Sequence, residues 1–364
     1  MDIAIIGASG TVGRLIAHML VSERLLEPGQ RLVLVGMAGR PSAASLYGIA
    51  TDLTDAYYET GSHIDIVLEP EAMHADLVIM TAGATTTLGG HGGPVSRDAV
   101  AEINAPIFGR YAQALAQNGS GHEIVICVSN PNELAVATFA RHLGRQRVVG
   151  MGAYLDSMRF RREIAAELGI RRQRVHGYVA GEHGQMLVPL WSSVHVYGMA
   201  REEWQRALAP VRGDHTIAGY HGQVDRLMAQ IGPLVTTGRT VEAYDIVQAA
   251  PPDVRVALKP YVTHFSGSKT AYGTARATVE MVRTVLAGND GVVAGQVVMD
   301  ADRFGVETAM GYPIVIGNRG VERLLQIDVD PDEREALEAA ARSIVRKLAP
   351  HLVKNDNIGE PPCR

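Results

Sequence analysis

The chain has 364 residues, 46% hydrophobic and 20% charged, enough to bury a sizeable core and too ordered in composition for a disordered, collagenous or coiled-coil protein. Its 34 Lys and Arg against 39 Asp and Glu leave a net charge of −5, which gives no electrostatic footprint for nucleic acid or an anionic membrane surface. The cysteines, Cys127 and Cys363, cannot form a disulfide framework and point to a reducing compartment, and no apolar run approaches the ~18 residues of a membrane helix.

The first residues, Met1-Asp2-Ile3-Ala4-Ile5-Ile6, carry no basic stretch, so a signal peptide is not expected and the cytoplasm is the expected location. Short apolar runs follow at Ile3–Ile6, Leu32–Val35, Ile64–Leu68, Leu77–Met80 and Ile124–Val128. Helix-like stretches lie between them at Val12–Leu25, Ala43–Ala56 and Val100–Gln117. That alternation predicts an α/β fold with a doubly wound parallel sheet over residues 1–150.

From residue 151 to 364 the pattern changes to an α+β second domain. A helix is predicted over Asp156–Leu168 and short strands over Val175–Val179 and Trp191–Val196. Ala277–Leu286 reads as part of a buried helix, and Val292–Met299, Pro313–Ile316 and Leu324–Val329 as an antiparallel meander. The last helix is the clearest: Asp330 can cap it, Pro331 suits its first turn, and Leu337, Ala341, Ile344 and Leu348 repeat at helical spacing. Residues from about 354 onward read as a loose tail, and the helices between Trp191 and Lys269 are poorly marked.

The first strand runs directly into Gly7-Ala8-Ser9-Gly10-Thr11-Val12-Gly13 and then a helix. Glycines there let backbone N–H groups approach a pyrophosphate, and the helix N-terminus adds partial positive charge. Gly7, Ser9, Gly10, Thr11, Val12 and Gly13 are therefore the expected phosphate cradle of a dinucleotide. At the end of the second strand an NAD site usually carries Asp or Glu for the ribose 2′-hydroxyl. Here the segment is Gly36-Met37-Ala38-Gly39-Arg40-Pro41-Ser42, without a carboxylate. Gly36 is expected to leave room for a 2′-phosphate, Arg40 to pair with it and Ser42 to donate to it, which favours NADP over NAD. A surface arginine on a glycine turn is the plainer alternative.

Three further segments follow in order: Val128-Ser129-Asn130-Pro131, Leu155-Asp156-Ser157-Met158-Arg159, and Gly181-Glu182-His183-Gly184, continued by Val188-Pro189-Leu190-Trp191-Ser192. With the glycine turn they resemble the lactate/malate dehydrogenase family over most of the chain. The resemblance implies a Rossmann-type first domain, a substrate domain, a homodimer or homotetramer, and hydride transfer between NAD(P) and a 2-hydroxy or 2-keto acid. Malate and oxaloacetate are the first expected pair. His183 stands at the family's acid/base position, and histidine titrates near neutral pH. Asp156 corresponds to the carboxylate that orients it, although a helix cap is the plainer role. Arg159, one helical turn on, corresponds to the guanidinium that grips the substrate carboxylate, and Asn130 to the asparagine near substrate and nicotinamide. Thr81, Ala82, Gly83 and Val128, at the ends of the fourth and fifth strands, are implied beside the cofactor.

The chain also departs from the family pattern. The mobile loop running from Ala84 to Arg97 is longer than usual, with Gly89, Gly90, Gly92 and Gly93 as hinges and Arg97 as the carbonyl-polarising arginine. Malate dehydrogenases carry a second arginine early in that loop, and the matching place falls near Thr86, where Thr85, Thr86 and Thr87 offer no base. His91 or a residue of the second domain would have to compensate. Thr270 and Thr274 match the substrate-facing helix loosely. A lactate-like or larger 2-hydroxy acid is the alternative substrate, and an NAD-dependent glycosidase the alternative class. The latter needs a Cys/His metal pair that no spacing suggests, so no metal is expected.

Overall fold

The computed structural model describes all residues except 60, 86–96, 213–215, 267–269, 289 and 356–364, together with the side chains of 97, 218 and 353–355. The chain begins β1 (Ile3–Ile6), α1 (Thr11–Ser22), β2 (Arg31–Val35), α2 (Pro41–Ala56), β3 (His63–Val67), β4 (Leu77–Met80), α3 (Arg97–Asn118), β5 (Ile124–Cys127), α4 (Asn132–Leu143) and β6 (Val148–Gly150). It continues α5 (Gly152–Glu167), β7 (Val175–Gly181), β8 (Leu187–Val196), α6 (Arg201–Arg212), α7 (Ile217–Thr236), α8 (Thr240–Gln248), α9 (Pro252–Phe265) and α10 (Ala271–Ala287). It ends β9 (Gly291–Met299), α11 (Ala301–Phe304), β10 (Thr308–Gly317), β11 (Gly320–Leu324) and α12 (Pro331–Asn355).

The strand order is β3-β2-β1-β4-β5-β6, parallel throughout. β1, β4 and β5 are apolar and buried at every position, because helices cover both faces. The order reverses between β1 and β4, and that switch point opens a crevice at the strands' carboxyl ends. Beyond β6 the sheet turns antiparallel as β9, β10, β7 and β8, with β11 on the free side of β10. The seam is the single pair Gly150–Gln296. A Cβ at Gly150 would stand 2.2 Å from Asn132 Oδ1, so only glycine permits the two halves to meet there.

Helices lock the halves together. α1 packs on α10, where Glu23 takes ion pairs from Arg276 at 2.6 Å and from Arg283. α5 lies between β7 and α9. Its Glu163 is almost fully buried and accepts Lys259 Nζ at 2.9 and 2.7 Å and Arg162 Nε at 3.0 Å, with Arg255 at 3.6 Å.

The expected parallel sheet is present strand for strand, with ends within a residue of their predicted places. The third strand of the meander is displaced: β11 is Gly320–Leu324, and residues 325–329 form no strand. Glycine at 320, with φ at +96°, makes the tight turn that sends the chain straight back along β10. Asp156 is an interior residue of α5, whose N-cap is Met151, so the cap role fails and its carboxylate is free for tertiary contacts. Asp330 precedes α12 as expected, but its carboxylate turns to Arg212 at 3.6 Å while Glu333 accepts its backbone N–H at 3.1 Å. The unmarked stretch is helical. Pro210, Pro233 and Pro260, residues that disfavour a helix interior, lie inside α6, α7 and α9.

Removing the Glu163 carboxylate leaves the mostly buried Lys259 short of a counter-charge and Arg255 with Glu167 alone. Glu163→Ala is expected to lower the unfolding free energy by about 3 kcal/mol, read from denaturant melts; an unchanged midpoint would show the cluster to be dispensable.

Candidate active site

The glycine turn is tied to β2 by Gly7 N–H donating to Val35 C=O at 3.0 Å. Gly7 sits at φ +84°, and a Cβ on Gly13 would come within 2.5 Å of Gly7 O. Gly10 caps α1 without a side-chain bond, and the first turn carries no acid. Its amides and the helix dipole are thus presented to whatever enters the crevice, an arrangement suited to a pyrophosphate. The cradle fits a dinucleotide on its own geometry.

Side chains brace the crevice walls. Thr81 Oγ1 donates to Ile6 C=O at 2.7 Å, and Ser129 Oγ to Ala82 C=O at 2.7 Å. Asn104 of α3 accepts from Ala84 N–H at 2.7 Å and donates to Asn130 C=O at 2.6 Å. The carboxyl ends of β1, β4 and β5 are therefore fastened to one another.

A cavity of about 750 Å³ runs from this crevice across to the antiparallel half. Of the expected residues, Gly10, Thr11, Val12, Gly13, Thr81, Gly83, Val128, Asn130, His183 and Thr270 line it. Thr274 does as well, one turn after Thr270 on α10, and its hydroxyl donates back to Thr270 C=O at 3.1 Å. Gly7, Ser9 and Ala82 lie in the same turns without forming the wall. Thr86 and the side chain of Arg97 fall outside the described residues, as do His91 and the four hinge glycines.

His183 follows β7, and Asp156 sits on α5 behind it. His183 Nδ1 lies 2.7 Å from Asp156 Oδ2, and Arg159 donates to the other oxygen, Oδ1, at 2.8 Å. One buried carboxylate is thereby shared by an imidazole and a guanidinium. Arg159 does not line the cavity wall; it stands beside His183 on the same carboxylate, with donors left over. Burial opposes the charge on Asp156, but His183 and Arg159 outweigh it and hold its pKa below the usual carboxylate value. Burial likewise opposes an imidazolium at His183, and the Asp156 carboxylate outweighs that, raising the pKa above the ordinary histidine value. The Asp156 bond also orients the ring and leaves Nε2 as the nitrogen not bound to Asp156.

Sequence reasoning missed several lining residues: Glu133, Glu182, Gln185, His264, Lys347 and His351. Glu133 accepts the backbone N–H of His183 at 2.7 Å and so holds that loop. Burial, reinforced by Glu182, raises its pKa. Its signal was available, an acid in the first turn after Asn130-Pro131. Lys347 and His351 had one too: two polar positions flanking the apolar stripe of Ile344 and Leu348.

The second-strand segment behaves differently from expectation. Gly36, Arg40 and Ser42 sit at the carboxyl end of β2, beside the glycine turn, but line no part of the cavity. A Cβ on Gly36 would point 2.6 Å from Leu46 Cδ1, into the core. Gly36 therefore relieves packing against Leu46 and does not open room for a ligand. Arg40 and Ser42 are exposed at the start of α2.

Residues 1–150 match the lactate/malate dehydrogenase NAD binding domain, and residues 153–216 and 208–353 match the lactate/malate dehydrogenase alpha/beta C-terminal domain. The chain belongs to the lactate/malate dehydrogenase family. It is 27% identical to an L-2-hydroxycarboxylate dehydrogenase (NAD(P)(+)) of Methanocaldococcus jannaschii over 363 residues, covering 98% of this chain and 100% of that one. It is 27% identical to a malate dehydrogenase of Methanothermobacter marburgensis over 352 residues, covering 94% and 95%. The crystal structure of a Cryptosporidium parvum lactate dehydrogenase with lactic acid and nicotinamide adenine dinucleotide shares the fold, with a TM-score of 0.71, 24% identity and 98% of each chain covered.

Family membership leaves the coupling between Asp156 and His183 to be measured. Asp156→Asn removes the charge that stabilises the imidazolium, so the His183 pKa is expected to fall. An NMR titration of the His183 ring protons checks this, and a midpoint that stays or rises would show the carboxylate not to be the cause.

Proposed function

We propose that the chain is an NAD(P)-dependent oxidoreductase that interconverts a 2-hydroxy acid and its 2-keto acid. The observation that carries this is His183, which shares one cavity with the glycine turn and is backed by the Asp156 carboxylate that Arg159 also binds. When bound, the nicotinamide supplies or accepts the hydride. His183 gives the proton to the forming hydroxyl in reduction and takes it back in oxidation, at Nε2. Asp156 is a positioning residue that fixes the ring and stabilises its charged form. Arg159 has the remaining guanidinium donors to hold the acid's carboxylate, and Asn130 the exposed amide to meet the reacting oxygen. Arg97 is proposed to polarise the carbonyl from the head of α3.

The direction of the His183 shift sets the pH response. Reduction needs the imidazolium, so it persists past the ordinary histidine range and falls as pH rises through the raised pKa. Oxidation needs the neutral ring and gains over the same window. A glycosidase reading is poorly supported: burial pushes the Cys127 thiol pKa up, which disfavours the thiolate a metal would require. We also read residues 1–150 and 151–364 as two domains, and the enzyme as a cytoplasmic homodimer or homotetramer, on the family resemblance. Among the described residues no helix is long and apolar enough to cross a membrane.

For the cofactor we favour NADP, on the lack of a carboxylate from Gly36 to Ser42 and the exposed Arg40 beside the turn. Malate/oxaloacetate is the first substrate pair. The absence of a base at Thr85–Thr87 favours a non-dicarboxylate acid as the second reading.

A steady-state screen of 2-keto acids with NADPH and NADH is the direct test, and no turnover of either cofactor with any of them would end the proposal. In active protein, His183→Gln is expected to lower kcat by roughly 10²–10⁴-fold. Arg40→Ala is expected to raise KM for NADPH by about tenfold, roughly 1.4 kcal/mol, with KM for NADH little changed; an equal effect on both would remove Arg40 as the discriminating group.

A further inference from the structure

The cavity does not stop at His183. Gln185 lines it as well, and so do Ile344, Lys347, Leu348 and His351 of α12. Spacings of three, four and seven put these four on one face of the helix. Two of them are apolar, as a core-facing stripe should be. The other two carry nitrogen, and a core stripe gives no reason for them.

Lys347 Nζ lies 2.8 Å from both carboxylate oxygens of Glu182, the residue preceding His183. The ammonium is therefore tethered next to the reacting end of the cavity and still has a third N–H to give. His351 is 6% exposed, and its Nδ1 has no hydrogen-bond partner among the described residues. Leaving such a nitrogen buried and unpaired is unfavourable. Glu133, another carboxyl of the lining, has its pKa raised by burial, so it opposes an incoming anion less than an ordinary glutamate would.

We propose that Lys347 and His351, presented by the C-terminal helix, receive a second carboxylate at the far end of the substrate and so make this site selective for dicarboxylic 2-keto and 2-hydroxy acids. The proposal rests on the oxidoreductase reading of the same cavity. It answers the departure at Thr85–Thr87, where a malate-type loop arginine is missing. The charge that the loop lacks at Thr85–Thr87 comes instead from α12. A cation in contact with a carboxylate near a protein surface is sufficient for at least tenfold selectivity. Lys347 shares its charge with Glu182, so the expectation is set at that tenfold.

The test compares kcat/KM for matched 2-keto acids of equal carbon number: oxaloacetate against 2-oxobutanoate, and 2-oxoglutarate against 2-oxopentanoate. The unaltered enzyme is expected to favour one diacid over its partner monoacid by at least tenfold. The double variant Lys347→Met/His351→Leu is expected to lower that ratio at least tenfold, and Lys347→Arg to retain it. A merely structural role would depress both acids together and leave the ratio alone. Turnover of monoacids at the same or better efficiency in the unaltered enzyme overturns the proposal without any variant having to fold, as does a ratio unmoved by the double substitution. Turnover of no 2-keto acid at all would remove the oxidoreductase reading, and this proposal with it.

Discussion

The site depends on one buried carboxylate. Asp156 carries its negative charge where burial opposes it, and keeps it because His183 binds one oxygen and Arg159 the other. Neither cation would hold its place alone. A buried guanidinium without a counter-ion is costly, and an imidazole bonded at one nitrogen only through water has no set direction. Sharing one anion solves both difficulties and leaves each cationic group free on its far side.

Two other acids support this arrangement from different directions, and their surroundings decide what each does. Glu163, on the same helix as Asp156, is matched by Lys259, Arg162 and Arg255, which holds its pKa down despite burial and anchors α5 to α9. Burial, reinforced by Glu182, raises the Glu133 pKa against the pull of His183, and Glu133 serves by accepting the His183 backbone N–H. Three carboxyl groups of similar burial thus orient, anchor and brace, according to which positive charges stand beside them.

The sheet explains why this cluster faces a dinucleotide cradle. The parallel strands all end on one side, so the glycine turn after β1 and the loops after β4 and β5 share a rim. At Gly150 and Gln296 the sheet reverses character, and β7 then delivers His183 to the same rim from the other half. Two of the glycine-dependent close approaches, at Gly13 and Gly150, are places where backbone must touch backbone or a short amide. α12 closes the remaining side, which gives the last helix of the chain a part in the wall beyond covering the sheet.

Much of this was readable in the chain itself. The strand–helix alternation, the glycine turn and the ordered motifs around Asn130, Asp156 and His183 are local patterns, and local patterns survive in sequence because spacing along a strand or helix is fixed geometry. Asp156 and Arg159, one turn apart, belonged to that class. The rest depended on contacts between distant segments. Nothing along the chain shows that Gly36 faces Leu46, that Glu133 reaches the amide of His183, or that Lys347 meets Glu182 across 165 positions. Those pairings exist only once the sheet has turned back on itself. Sequence determined the fold class, the glycine turn and the candidates Asp156, Arg159 and His183, because each is written in neighbouring residues. Tertiary structure alone decided which charges share a cavity, because Coulomb and packing forces act through space between residues that the chain keeps far apart.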